Sequence, residues 1–295
     1  MNVGIDIGGT FVKFAFEENG SIKTEKILIK DYIEKKDIEG FLNEVLFILK
    51  DKNIKKLGIA VAGLLNKSKG YVEISPNIKP IEKYPIVDFF RENLKAEIYI
   101  ENDANAAALG EYIYGNGKNS NILITLTLGT GLGSGAVING KLLSGVNGVA
   151  MELGHTTVEK NGWRCHCGRN GCLESYVSSY GLERIYYMLT DKKIISSEIV
   201  SLANEGNTKA LEAFEIFNDY LSTGLMNITH IFNPDKIILS GGIVEHYPIL
   251  VKMAYSKLKE KAFPVSIEDL DIDISKLGEY SGAYGALALT KGGES

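Results

Sequence analysis

The chain has only three cysteines in 295 residues, and it carries no long apolar run and no excess of basic charge. An odd cysteine count with no export signal excludes a disulfide framework. No segment approaches the ~20 apolar residues of a membrane span. Met1 runs straight into a short apolar strand and not into a charged-then-apolar leader. A net charge of −5 and a pI near 5.6 leave no basic face for a phosphate backbone, which argues against nucleic acid as the main partner. The expectation is a soluble, cytoplasmic protein with no membrane and no nucleic-acid partner. Apolar content of 45% and charged content of 23% are ordinary for a globular chain, and the length suits two domains.

The scarce cysteines are crowded. Cys165, Cys167 and Cys172 all fall between Asn147 and Glu174, with His155 ahead of them and Glu152 and Glu174 on either side. Three thiolates and one imidazole make a full tetrahedral shell for Zn²⁺, and four protein ligands close a site, which marks it as structural. Gly168 and Gly171 permit the sharp turns that such short spacing needs. Buried free thiols or a redox pair are the alternatives, although Trp163 and the polar neighbours do not resemble a core segment. His166, between two cysteines, should point away from a shared metal, whereas His155 has the separation to fold back. His230 and His246 read as structural.

Strands and helices alternate along the chain. Val3 to Ile7, Phe11 to Phe16 and Ser21 to Ile29 read as strands, with Asn19-Gly20 as a hairpin turn between the last two. Asp37 to Lys50 has helical spacing, Leu57 to Val61 and Glu97 to Ile100 are strands, and Ala104 to Tyr112 is an alanine-rich helix. Glycine, asparagine and serine concentrate over residues 114–120, which suggests a boundary: a domain over 1–115 and another over 116–280. The opening pattern then returns, with a strand over Ile122 to Leu128, a glycine turn over Gly129 to Gly133, and a strand from Gly135 to Leu143 broken at Asn139-Gly140. Thr208 to Ile231 is a long helix ended by Asn233-Pro234-Asp235, and Lys236 to Ser240 is a strand. Ser281 to Thr290 is a small-residue helix suited to close packing.

Three glycine turns follow apolar strands: Asp6 to Thr10, Gly129 to Gly133, and Ser240 to Gly242. Glycine lets backbone N–H groups face an anion and threonine adds a hydroxyl donor, yet one such string is equally a tight hairpin. Phe11 to Phe14 and Ala136 to Ile138 continue as strands, so neither a Walker loop nor a dinucleotide fingerprint fits, since both open a helix. Phosphates gripped between two hairpins is the arrangement of the actin-like sugar kinase and Hsp70 fold. Asp6 reads as a carboxylate near a Mg²⁺–phosphate or as a turn former. Lys13 reads as a phosphate contact or a solvated lysine. Asp103, where a strand meets a helix, reads as an N-cap or as a general base that the helix N-terminus keeps ionised.

Six segments together resemble the ROK family of bacterial sugar kinases nearly end to end: Asp6 to Thr10, Ser75-Pro76-Asn77, Glu101 to Asn105, Leu126 to Gly133, Glu152 to His155, and Cys165 to Glu174. The resemblance implies an α/β, two-domain actin-like ATPase (ribonuclease H-like) fold with an interdomain cleft, its final helix (about 281–295) crossing back onto the first domain. It implies an ATP-dependent hexose kinase that phosphorylates the 6-hydroxyl of glucose or a close relative, with Asp103 as base. Gly63, Asn77, Asn102, Asp103, Glu152, His155 and Glu174 match sugar-contacting positions. ATP would lie against the glycine turns, with Thr130 and Gly131 near the phosphates and Gly241 and Gly242 near the nucleoside, and Asp6, Gly8, Gly9, Thr10, Lys13 and Gly133 are the further candidates for the phosphate side. His155, Cys165, Cys167 and Cys172 match zinc ligands, so ATP, Mg²⁺ and structural Zn²⁺ are the implied cofactors and a homodimer the implied assembly. Zinc would then act as a strut, pinning His155 and the loop to Glu174 against the sugar.

Members of the family act on glucose, fructose, allose, N-acetylglucosamine or N-acetylmannosamine, and some are repressors. Glu152 fits the glucose and N-acetylglucosamine pattern. Lys79-Pro80-Ile81 stands where many glucokinases have Gly-Trp, and Met151 stands where the family usually has glycine. A sugar-responsive repressor would need a helix-turn-helix ahead of the first hairpin, which here begins at Val3. An actin- or Hsp70-like ATPase module would lack the cysteine segment.

Overall fold

A computed structural model describes residues 1–18, 20–75 and 77–292. The strands are β1 (Asn2–Ile7), β2 (Phe11–Glu18), β3 (Ser21–Leu28), β4 (Lys56–Val61), β5 (Leu64–Asn66), β6 (Tyr71–Ile74), β7 (Glu97–Asn102), β8 (Ile122–Leu128), β9 (Leu132–Ile138), β10 (Lys141–Leu142), β11 (Lys236–Ser240) and β12 (Asp271–Ile274). The helices are α1 (Lys30–Lys35), α2 (Ile38–Leu49), α3 (Ile86–Leu94), α4 (Asp103–Ile113), α5 (Ser179–Thr190), α6 (Ser196–Asn204), α7 (Thr208–Phe232), α8 (Gly242–His246), α9 (Ile249–Lys261) and α10 (Ser281–Leu289). Two compact units form: residues 1–118 with 135–150 and the segment from Tyr280, and residues 119–134 with 151–279.

The first sheet has the order β3-β2-β1-β4-β7. β1, β2 and β3 pair antiparallel, while β1, β4 and β7 run parallel. Strand alternation sends Val3, Ile5 and Ile7, with Leu57, Ile59 and Val61, to one face, where they form a core with Phe41 and Val45 of α2 and Phe90 of α3. The opposite face carries Gly4, Asp6, Gly58 and Ala60. Here α10 lies almost backbone to backbone on the sheet: a Cβ on Gly4 would sit 2.2 Å from the Leu287 nitrogen, and one on Gly58 only 1.7 Å from the Ala286 oxygen. α4 meets the same helix through Gly285, whose absent Cβ would fall 1.6 Å from the Ala106 carbonyl. The small-residue composition of 281–290 is therefore what lets it pack this closely.

The second sheet has the order β10-β9-β8-β11-β12, with β8, β11 and β12 parallel. Phe214, Phe217, Leu221, Leu225 and Ile228 of α7 are buried, and Asn233 ends that helix in the left-handed conformation. β9 begins at Leu132, so Gly133 belongs to the strand and not to the turn before it. Asn139 and Gly140, at φ 50° and 78°, make the expected β9–β10 hairpin turn. The Asn19-Gly20 turn and the Ser75-Pro76-Asn77 segment each contain a position, Asn19 and Pro76, outside the described residues. β5 and β6, and helices α3, α5, α6 and α9, are added by the structure to the elements expected from the sequence.

Candidate active site and metal centre

In the first unit, the β7-to-α4 junction assembles a carboxylate site. Asn102 caps α4, its Oδ1 accepting from the N–H groups of Ala104 and Asn105 at 2.9 and 3.2 Å, while its Nδ2 donates to the Gly63 carbonyl at 3.1 Å. Asp103 is the first helical residue, and its Oδ1 also accepts from Ala104 N–H at 2.9 Å. Burial raises the Asp103 carboxyl above the ordinary range, opposed by backbone hydrogen bonds and the charge of Lys13. Asp6 pairs in register with Lys13 across β1 and β2. Its carboxyl is pushed up to about 7, mainly by burial, with Lys13 lowering it and Asp103 raising it further. Asp6, Lys13 and Asp103 are thus one electrostatic cluster. Gly282 at the start of α10 abuts the Asp6 carboxylate: a Cβ there would lie 2.7 Å from Oδ2.

The turn after β1 closes with Gly8 N–H donating to the Phe11 carbonyl at 3.0 Å, and Thr10 is exposed. Gly9 lies against exposed Asn77, since a Cβ on Gly9 would fall 3.2 Å from the Asn77 carbonyl oxygen. Gly63, at φ 132°, takes a conformation that glycine tolerates best.

In the second unit, the Gly129–Gly131 turn closes through Gly129 N–H to the Gly131 carbonyl at 3.0 Å, with Thr130 exposed at its tip. A cavity of about 370 Å³ opens beside it, lined among others by Leu128, Gly129, Ser179, Val200, Gly242 and His246. Gly241, at φ 101°, has its Cα side packed on Leu128, where a Cβ would meet the carbonyl at 2.3 Å. The third glycine turn differs from the other two in opening a short helix, α8.

The cysteine segment brings His155, Cys165, Cys167 and Cys172 together, with one ligand atom from each within 4.8 Å of the others. Cys165 Sγ lies 3.7 Å from His155 Nδ1, and Cys167 Sγ 3.6 Å from Cys172 Sγ. Thiolates bound tetrahedrally at about 2.3 Å stand about 3.8 Å apart, so the four donors fit one cation of that size. His166 is outside the set and packs at a tilt against Tyr180, ring centroids 4.3 Å apart, while His230 accepts from Phe263 N–H at 3.2 Å. The two nitrogens of His155 face different neighbours: Nδ1 faces the thiols, and Nε2 lies 3.9 Å from a Glu152 carboxylate oxygen.

Several supporting contacts have no signal in the sequence. Arg169 donates to the His155 carbonyl at 2.8 Å. Ser134 Oγ bonds the Met151 carbonyl and accepts from Leu153 N–H at 3.1 Å, fixing the segment that carries Glu152. Half-buried Glu174 accepts from Leu132 N–H at 3.0 Å and from Tyr180 at 3.3 Å. This contact explains a glycine at position 131, where a Cβ would come within 2.5 Å of Glu174 Oε2. Met151 is buried at φ 66°, a conformation ordinarily left to glycine.

The chain is similar to proteins of known family. The ROK family glucokinase from Streptomyces griseus, solved in complex with glucose and AMPPNP, matches with a TM-score of 0.83 at 27% identity, over 99% of each chain. The fold is that of the α/β actin-like ATPases. A profile of the ROK family matches residues 2–292, and the chain belongs to that family. The xylose repressor of Bacillus spizizenii is 35% identical over 79% of this chain, which spans 60% of the repressor's length. The glucokinase of Thermotoga maritima is 31% identical over 98% of this chain and 96% of its own. No helix among the described residues is long and apolar enough to cross a membrane.

Proposed function

We propose that the protein is an ATP-dependent hexose kinase that transfers the γ-phosphate to the 6-hydroxyl of glucose or a close relative, with Asp103 as general base. The observation that carries this reading is the Asp103 carboxyl, raised by burial and oriented by the α4 N-terminus beside Asp6 and Lys13. A base works best when its pKa approaches the working pH, and phosphoryl transfer asks mainly for positioning and charge stabilisation. Asp103 would take the hydroxyl proton as the sugar oxygen bonds to phosphorus and the bond to the leaving ADP oxygen breaks. Asn77, Asn102, Gly63, Glu152, His155 and Glu174 would supply directional hydrogen bonds to the sugar. Gly8, Gly9, Thr10, Lys13, Thr130, Gly131 and Gly133 would serve the phosphates, and Gly241 and Gly242 the nucleoside, next to the cavity at Gly242.

Asp6 would hold Mg²⁺, which neutralises phosphate charge when bound. His155, Cys165, Cys167 and Cys172 would hold a structural Zn²⁺, as their donor chemistry and spacing suit it. A homodimer in the cytoplasm is the assembly that the family likeness favours. The test is coupled ADP release with ATP, Mg²⁺ and a panel of glucose, N-acetylglucosamine, N-acetylmannosamine and fructose. Turnover of one of them is expected, and silence with every sugar would end the kinase reading. Sugar-dependent binding to operator-like DNA in its place would favour a repressor.

A further inference from the structure

Lys67 lies in the turn between β5 and β6, far in sequence from the strand it serves. Its ammonium pairs with Glu101, whose side chain has no solvent exposure, while Lys67 keeps 29% of its own. Glu101 Oε1 accepts from the Asn102 N–H at 2.9 Å and from Asn105 Nδ2 at 3.2 Å. Glu101 thus grips the last peptide of β7 and, through the Asn105 side chain, the first turn of α4, on either side of Asp103. Asn102 Nδ2 ties the same junction to the Gly63 carbonyl, just before β5. The hairpin and the junction are therefore joined at two points, and Lys67 is the only cation recorded against Glu101 among the described residues. A buried carboxylate is costly unless it is paired and hydrogen-bonded, and an acceptor held in a charge-assisted pair fixes its donors more tightly than a neutral one.

We propose that Lys67 is a positioning residue for phosphoryl transfer: by pairing with Glu101, it holds the Asn102–Asp103 backbone so that the Asp103 carboxylate faces the sugar hydroxyl. The proposal rests on the reading of Asp103 as the base. It assigns Lys67 no direct contact with sugar or nucleotide, so its loss should act on kcat far more than on KM, which it reaches only through Asn102.

The test compares the full-length protein with Lys67→Met, Lys67→Arg and the neighbouring charge control Lys69→Met, using ATP with the best sugar of the panel. Lys67→Met should lower kcat about ten- to a hundredfold, the scale expected of a small misplacement of a reacting group, with sugar KM within about threefold of the parent. Lys67→Arg should recover most of the loss, and Lys69→Met should lose nothing. Adding Glu101→Gln to Lys67→Met should restore part of kcat, because it replaces an unpaired buried charge with a neutral acceptor. Amide hydrogen exchange supplies a readout independent of turnover: Lys67→Met should speed exchange at Asn102 and Asn105 and leave α2 and α3 unchanged. Unaltered exchange at those two amides overturns the proposal, as does a kcat within twofold of the parent. If the parent turns over no sugar, the kinase reading falls by itself, and exchange at Asn102 and Asn105 then decides whether Lys67 positions this junction.

Discussion

At the residue scale, the carboxylates of the first unit carry three predictions. Asp103→Asn keeps the size and hydrogen-bonding shape of the side chain but removes the proton acceptor. Turnover should fall by about 10²–10⁴, with calorimetric sugar binding within a few-fold of the parent. A variant that retains a tenth of the activity would remove Asp103 from the base role. Because burial raises the Asp103 carboxyl, the acid limb of the kcat/KM profile should lie above the ordinary aspartate value. Asp6 speaks to stability. Its folded pKa of about 7 exceeds the ordinary 3.8, so between those values the folded chain holds a proton that the unfolded chain has released. Stability from this group therefore falls as pH rises through that window and levels off above it. Asp6→Asn should raise the melting temperature near pH 8 and change it little near pH 4; a gain equal at both would contradict the assignment.

At the element scale, two packed segments give contrasting expectations. α10 depends on missing side chains, and Gly285→Ala drives a Cβ into the Ala106 carbonyl. Urea unfolding should show a loss of about 1–3 kcal/mol or more, whereas the same change at Gly129, with open space around its Cβ position and no positive φ, meets no such clash. The segment from Glu152 to Glu174 depends on its donors. Purified protein should contain zinc near one equivalent per chain by elemental analysis, and Cys165→Ser should abolish it. Chelation should raise sugar KM or loosen the segment by proteolysis, since His155 sits between the thiols and Glu152. Zinc-free protein with unchanged kinetics would end the strut role. The left-handed φ of Met151 accounts physically for a glycine preference at that position, and this chain bears the strain with a buried side chain.

At the scale of the whole molecule, the family assignment and the fold rest on a match running from residue 2 to 292, while the choice of sugar does not. The dimer expectation is checked by sedimentation at micromolar concentration, and a monomer there would refute it. Much of this architecture was open to reading in one dimension. β1, β4, β8 and β11 announce themselves as apolar runs ending at glycine or a small polar residue, and α7 by its helical spacing. The Cys₃His set was legible because cysteine is rare here and ligand chemistry demands clustering. β5 and β6 were not: they are only three and four residues long and pair with each other in a separate two-stranded sheet, too short to show a pattern. What the sequence determined alone is local chemistry, namely which residues can ligate, cap, turn or accept a proton. Only the tertiary structure decided which distant groups meet them. Lys67 reaches Glu101, Glu174 reaches Leu132, and Gly282 meets Asp6, because the sheet and its crossing helix bring those backbones together, and no spacing along the chain encodes that approach.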